Sequence, residues 1–168
     1  MKNSLLSKIL IILMIIGIFA ISIIISKAIF MKKVNSQKEI TSEQFKQTLS
    51  NKGYYISTSL NEQSPNYLKN AYTAISKNQD YDIKFYETEN EDEAIQKVFF
   101  REKEAIEKEK NKKTEKDINI KQYNYYEANI NNQKYIIIRN RKTVISTKIE
   151  QNKEKEVKSI LKGINYIL

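Results

Sequence analysis

Five carboxylate side chains lie close together in the sequence, at Glu87, Glu89, Glu91, Asp92 and Glu93. Carboxylates at this density can bind a hard cation such as calcium, or supply the pair of acids that glycosidic hydrolysis needs. The central glycine of a calcium-binding loop is missing, however, and acids collect at helix starts because the helix dipole favours them there. We therefore expect this run to be the start of a helix, with no catalytic or metal-binding role.

Aromatic and basic residues form a second candidate site, with Tyr123, Tyr125 and Tyr126 followed by Arg139 and Arg141. Aromatic rings interleaved with cations can stack on bases or sugars. Tyrosine is also a common strand residue, and strand alternation sends Tyr125 and Tyr126 to opposite faces. At least one of the two is therefore expected in the core, with a binding face as the alternative.

Several classes of chemistry are excluded by residues that the chain lacks. It contains no His and no Cys, which removes Ser-His and Cys-His nucleophile pairs, ordinary zinc sites and thiol redox chemistry. The three glycines, Gly17, Gly53 and Gly163, are too far apart for a phosphate-binding loop. We predict a non-enzymatic protein with no cofactor and no metal; a hydrolase that uses only carboxylates is the remaining enzymatic alternative.

A positively charged turn is the best candidate contact for a partner. All 20 acidic residues and 26 of the 29 basic residues follow Met31, a surplus of six positive charges that attracts anionic surfaces. Three of these charges, Arg139, Arg141 and Lys142, fall within four residues at an expected hairpin end. We predict that this turn is exposed and contacts an anionic partner.

An uncharged segment from Ile9 to Ser26, closed by Lys8 and Lys27, assigns the chain to a membrane. As a helix rising about 1.5 Å per residue it spans roughly 27 Å, close to the hydrocarbon thickness of a bilayer. Its ten Ile, two Leu and Phe19 favour insertion by roughly 4 to 8 kcal/mol. We predict that residues 9–26 contact the lipid bilayer within an anchor at residues 1–31.

Processing and orientation of the anchor leave alternatives. Ser26-Lys27-Ala28 resembles a signal-peptidase site, although cleaved signals have shorter apolar cores of about 7 to 15 residues. Ser22 and Ser26 form a small-xxx-small pair that can seat a helix dimer. The lysines after the segment slightly favour a cytoplasmic C-terminal domain, but a short basic tail before an apolar run is typical of an outward-facing domain. We expect a single-pass cell-membrane protein with its domain outside.

Periodicity beyond the anchor predicts a polar stalk at residues 32–39 and one α+β domain at residues 40–168. Ile40 to Phe45 supply a capping box and a hydrophobic staple, and Gly53 can end that helix. Ser64-Pro65 predicts a second helix, Asn90 with Glu93 a third, and Asn131-Asn132 a hairpin turn. The predicted order is α-β-α-β-α-β-β-β-α, mainly antiparallel, closed by a helix with its apolar face at Val157, Ile160, Leu161, Ile164 and Leu168.

The rhythm of the domain resembles that of small membrane-tethered or exported α+β proteins of low-GC Gram-positive bacteria with no assigned function. The segments that carry the resemblance are Gly53-Tyr54, residues 81–86, 135–139, 142–145 and 156–161, and Tyr166. The resemblance implies a membrane-tethered or secreted module and transfers no catalytic residue.

These observations predict a membrane-anchored extracytoplasmic domain that acts by binding an envelope protein or an anionic surface polymer. The alternative is a cytoplasm-facing tether whose basic domain binds anionic lipid or nucleic acid. Nucleic acid is disfavoured because the leading orientation places the domain outside the cell.

Overall fold

A computed structural model describes residues 2–167, and the chain divides into two compact units after Gln37. The first unit is one helix, α1 (Lys2–Ser36). It is long and apolar enough to cross a membrane, and its large apolar side chains from Ile9 to Ile29 are 47% to 67% exposed along the helix. The helix continues through Ser36, so most of the predicted stalk at residues 32–39 is helical.

The second unit is built on one antiparallel sheet of seven strands. The strands are β1 (Tyr55–Thr58), β2 (Leu68–Ile75), β3 (Asp82–Thr88), β4 (Lys113–Ile120), β5 (Tyr123–Ile130), β6 (Gln133–Asn140) and β7 (Thr143–Glu150). Their spatial order is β1-β2-β3-β7-β6-β5-β4, so a meander of three strands, β1–β3, and a meander of four strands, β4–β7, meet where β3 pairs with β7.

Three helices accompany the sheet. Helix α2 (Ser42–Asn51) precedes β1. Helix α3 connects β3 to β4 and consists of three successive segments, Glu91–Glu93, Ala94–Phe99 in π-helical form, and Phe100–Glu107. Helix α4 (Glu154–Gly163) follows a 3₁₀ turn, Gln151–Lys153.

The helices cover both faces of the sheet, and for that reason the central strands are buried on both sides. Phe45 of α2 stacks on Phe85 of β3 with ring centroids 4.7 Å apart. Glu156 of α4 lies on the same face, where it accepts a 2.8 Å hydrogen bond from Tyr81. Helix α3 packs on the opposite face in an apolar cluster of Ala94, Val98, Phe99, Ile106, Tyr126, Ala128, Ile130, Ile137 and Val144.

The α+β class and the mainly antiparallel sheet are as predicted, but two assignments are wrong. The segment expected to form a helix from Ser64-Pro65 is strand β2, because β1 and β3 supply backbone partners on both of its sides. The sequence also predicts a charged linker at residues 108–117 and one strand from Ile118 to Ile130. The structure has two strands there, joined at residues 121–122, and β4 begins at Lys113 within the predicted linker. Charged side chains suit β4 because it lies at the sheet edge, where charge opposes pairing with another chain.

The local signals for element ends are confirmed. Gln44 donates its backbone N–H to the Thr41 hydroxyl at 3.2 Å, and the Gln44 side chain accepts from the Thr41 N–H at 3.0 Å. Gly53 has a φ of +84°, and Asn131 and Asn132 have φ values of +49° and +65°. Helix α4 buries Val157, Ile160 and Leu161, and Ile164 follows it in the core. Leu168, the last predicted contact of this face, lies outside the described residues.

Candidate functional site

A groove lined with charged and aromatic residues lies between one flank of α3 and the sheet. It consists of two adjoining cavities that share Glu102, one near the middle of α3 and one at its C-terminal end. We call the two together the helix-flank groove.

The first cavity, of about 260 Å³, joins aromatic and basic side chains. The sheet and the preceding loop contribute tyrosines and apolar groups, and the helix contributes two cations. Its lining is Pro65, Tyr67, Leu68, Tyr86, Lys97, Val98, Arg101 and Glu102.

The second cavity, of about 230 Å³, carries charges of both signs. Asp82, Lys148 and Tyr135 form one row across β3, β7 and β6, because the strand register pairs them directly. Glu102 accepts a 3.1 Å hydrogen bond from the Ser146 hydroxyl in the floor. The lining is Asp82, Lys84, Glu102, Ala105, Ile106, Glu109, Tyr135, Ser146, Thr147 and Lys148.

The geometry of α3 places one wall of both cavities. Residues four apart in a helix share a face, so Arg101 and Ala105 follow one another along the groove. Glu109 lines its end from the turn just after the helix. The π-helical segment precedes them, with the Phe100 N–H bonded to the Ile95 carbonyl five residues back. Such wide turns are frequent at functional sites because they re-aim the side chains on one face.

Much of the charge in the groove is free of partners within the chain. Among residues 2–167, the side chains of Lys84, Lys97, Arg101 and Glu109 form no ion pair or hydrogen bond. The Lys148 ammonium forms no ion pair among the described residues and lies over the Tyr135 ring, with its Nζ 5.4 Å from the ring centroid. Burial, followed by the nearby charge of Glu102, raises the pKa of Tyr86, so its hydroxyl stays protonated and can donate.

An ion cluster on the opposite face of the sheet differs from the groove, because its charged side chains pair with one another. The Lys134 ammonium donates to Glu127 at 2.8 Å, to Glu115 at 2.8 Å and to Glu154 at 2.6 Å. Lys158 bridges Glu127 and Glu154 from α4 at 2.8 and 2.6 Å. The Lys134 and Glu127 side chains are only 5% and 4% exposed. The cluster therefore ties α4 to the sheet, and its central pair, Lys134 and Glu127, is not accessible to a ligand.

The pKa of Glu127 reflects this pairing. Burial acts to raise the pKa, but hydrogen bonds from Lys134, Lys158 and Tyr125 lower it from 4.5 to about 2. Burial likewise acts to lower the pKa of Lys134, yet its three carboxylate partners raise it overall. The Glu127 contribution to stability is thus complete above about pH 4.5 and is lost as the pH falls towards 2.

The predicted anionic contact at Arg139, Arg141 and Lys142 needs a correction, because Arg139 is completely buried. Its guanidinium donates to the carbonyls of Arg141 at 2.8 Å and Lys121 at 2.7 Å, and to the Asn124 side chain. It joins two neighbouring turns and is not available to a partner. Arg141 and Lys142 are partly exposed, and an Arg141 nitrogen lies 3.9 Å from Glu91.

The other predicted groups are placed in the fold. Tyr123, Tyr125 and Tyr126 are at most 2% exposed, so the alternative of a tyrosine binding face is wrong. Tyr126 packs under α3, whereas Tyr125 donates to Glu127 on the other face, as strand alternation requires. Glu91, Asp92 and Glu93 of the acidic run start α3, where Asn90 accepts a 2.9 Å bond from the Glu93 N–H, whereas Glu87 lies in β3. Within residues 2–167, no group of three Asp or Glu side chains is arranged to hold a metal ion.

Sequence reasoning missed the groove because its walls come from distant segments. The lining runs from Pro65 to Lys148 and includes Leu68 of β2, a segment for which the sequence predicts a helix. One signal is present in the sequence. Lys97, Arg101, Ala105 and Glu109 are spaced by four residues, and three of these four side chains are charged.

Comparisons with protein-family models, with curated proteins and with solved structures gave no match to this chain.

Proposed function

We propose that the protein is a single-pass cell-membrane protein whose C-terminal domain lies outside and acts by binding a ligand in the helix-flank groove. The observation that carries the proposal is a groove between α3 and the sheet in which four charged side chains lack partners among residues 2–167: Lys84, Lys97, Arg101 and Glu109. Small-ligand sites commonly occupy about 300 to 1,000 Å³, and the two cavities together fall in this range.

The membrane location is supported by the surface of α1. Apolar side chains surround this helix on all sides, and an isolated helix of this kind is stable only when lipid or protein covers it. A bilayer is the environment that matches both its length and its composition.

A binding role, as opposed to a catalytic one, is supported by the chemistry of the groove. It holds lysines, carboxylates, hydroxyls and tyrosines. The pKa of Tyr86 is raised by burial, so its hydroxyl stays protonated and supplies no base near neutral pH. Because the sequence contains no His and no Cys, the groove has no ordinary pair of nucleophile and base for a catalytic site.

The anchor is tested by placing a charge at its centre. Replacing Ile16 with Arg should cost about 2.5 to 3.5 kcal/mol of insertion free energy, whereas Ile16→Leu should leave insertion unchanged. We expect the wild-type and Ile16→Leu proteins in the carbonate-washed membrane fraction at full length, and a reduced share of Ile16→Arg there. A wild-type protein that is soluble, or shortened by cleavage near Ala28, would contradict an uncleaved anchor.

A further inference from the structure

We infer that the occupant of the helix-flank groove is a short extended peptide segment with a carboxylate at one end and an amine at the other. The inference rests on the proposed function and specifies its ligand. It follows from the length of the groove, from the order of its charges and from the position of its apolar surface.

The length of the groove matches about five extended residues. Its wall follows α3 from Lys97 to Glu107, which rises roughly 15 Å at about 1.5 Å per residue, and continues to Glu109 just beyond the helix end. An extended peptide covers about 3.3 Å per residue. A single amino acid would fill one cavity and leave the other empty.

The charges change sign along the groove. The first cavity is lined by two cations, Lys97 and Arg101, and by one carboxylate, Glu102, which also lines the second cavity. The second cavity adds Asp82 and Glu109, so its three carboxylates outnumber its two lysines. A ligand carboxylate is therefore favoured beside Arg101, and a ligand amine beside Glu109.

This order of charges disfavours a uniform polyanion. A chain of phosphates or carboxylates lying along the groove would bring like charges towards Glu102, Asp82 and Glu109. Like-charge contacts weaken binding and so act as a filter on the ligand.

An apolar side chain is expected next to the ligand carboxylate. Tyr67, Leu68, Tyr86 and Val98 surround the cation pair in the first cavity. Tyrosine rings supply a large contact area and a hydroxyl donor together. The second cavity offers one ring, Tyr135, which Lys148 already covers.

The test uses the full-length protein in nanodiscs of zwitterionic lipid and three pools of fluorescent capped pentapeptides. Peptides of the dipolar pool carry Glu followed by an apolar residue at one end and Lys at the other end, in both chain directions. Peptides of the acidic pool carry Glu at both ends. Peptides of the neutral pool carry Gln at both ends. We expect saturable binding of the dipolar pool, weakened about fivefold or more when Arg101 or Glu109 becomes Gln. Lys108→Gln is the matched control and should bind normally, since this exposed side chain at the end of α3 lines neither cavity and pairs with Glu104.

The outcomes separate this inference from the proposed function. Stronger binding of the acidic pool, or dipolar binding that ignores both Arg101→Gln and Glu109→Gln, would overturn the peptide assignment and leave the groove as a binding site. A second experiment measures whether a cysteine placed in the groove can react with a thiol reagent in intact cells. No binding by any pool, together with a groove cysteine that is protected in cells, would also overturn the peptide assignment and leave the proposed function standing. No binding with an unprotected groove would reject both.

Discussion

Replacing Lys134 with Met will destabilise the second unit by about 3 to 5 kcal/mol, measured as the free energy of unfolding in urea at pH 7. The reason is that Lys134 satisfies three carboxylates at once while only 5% of its side chain is exposed. Without it, Glu127 and Glu154 share the one remaining ammonium, Lys158, and negative charge stays buried without compensation.

The matched control is Lys108→Met, which removes an ion pair of similar length from the surface of α3. Lys108 and Glu104 are 73% and 67% exposed, so their pair contributes about 0 to 1 kcal/mol. The double variant Lys134→Met with Glu127→Gln should recover part of the loss, because it removes the uncompensated charge. If Lys134→Met unfolds at the wild-type urea concentration, the cluster does not hold α4 to the sheet.

Truncating Leu161 to Ala will cost about 2 to 5 kcal/mol, as it does for other fully buried leucines. Leu161 is 0% exposed in α4, and the backbone after this helix folds back on it through bonds from Tyr166 and Ile167 to its carbonyl. Lys162→Ala, one residue further and exposed, should change stability by less than about 0.5 kcal/mol. Equal thermal midpoints for the two variants would mean that α4 is not docked.

Much of the fold was predictable because its signals are local. The apolar run of α1, the Thr41 capping box, the left-handed turns at Gly53 and Asn131-Asn132, and the face of α4 each depend on residues a few positions apart. The failure at β2 is different in kind. Its apolar residues fit a helix as well as a strand, and only pairing with β1 and β3 decides between them.

The burial of charged side chains was the second feature that could not be predicted from the sequence. Arg139 was expected at an exposed hairpin end, since it lies next to a turn together with Arg141 and Lys142. What buries it is the carbonyl of Lys121 and the side chain of Asn124, both from the hairpin before β6. The same holds for Lys134 and Glu127, whose partners Glu154 and Lys158 lie far away in the sequence and cannot be predicted from neighbouring residues.

Occupancy of the helix-flank groove in living cells is the most direct measure of the proposed function. The chain has no Cys, so a single introduced Cys is its only thiol. Ala105→Cys places a thiol in the groove wall, and Glu104→Cys places one on the adjacent exposed surface of α3. A membrane-impermeant maleimide is applied to intact cells of the organism that makes the protein, and labelling is expressed relative to the same variant after purification.

We predict that Glu104→Cys is labelled in intact cells as fully as in the purified protein, because the domain lies outside. Ala105→Cys should be labelled several-fold less in cells than after purification, because a ligand covers the groove. Labelling of Glu104→Cys only after lysis would place the domain inside the cell. Equal labelling of Ala105→Cys in cells and in the purified protein would mean that the groove is empty, and would contradict the proposed function.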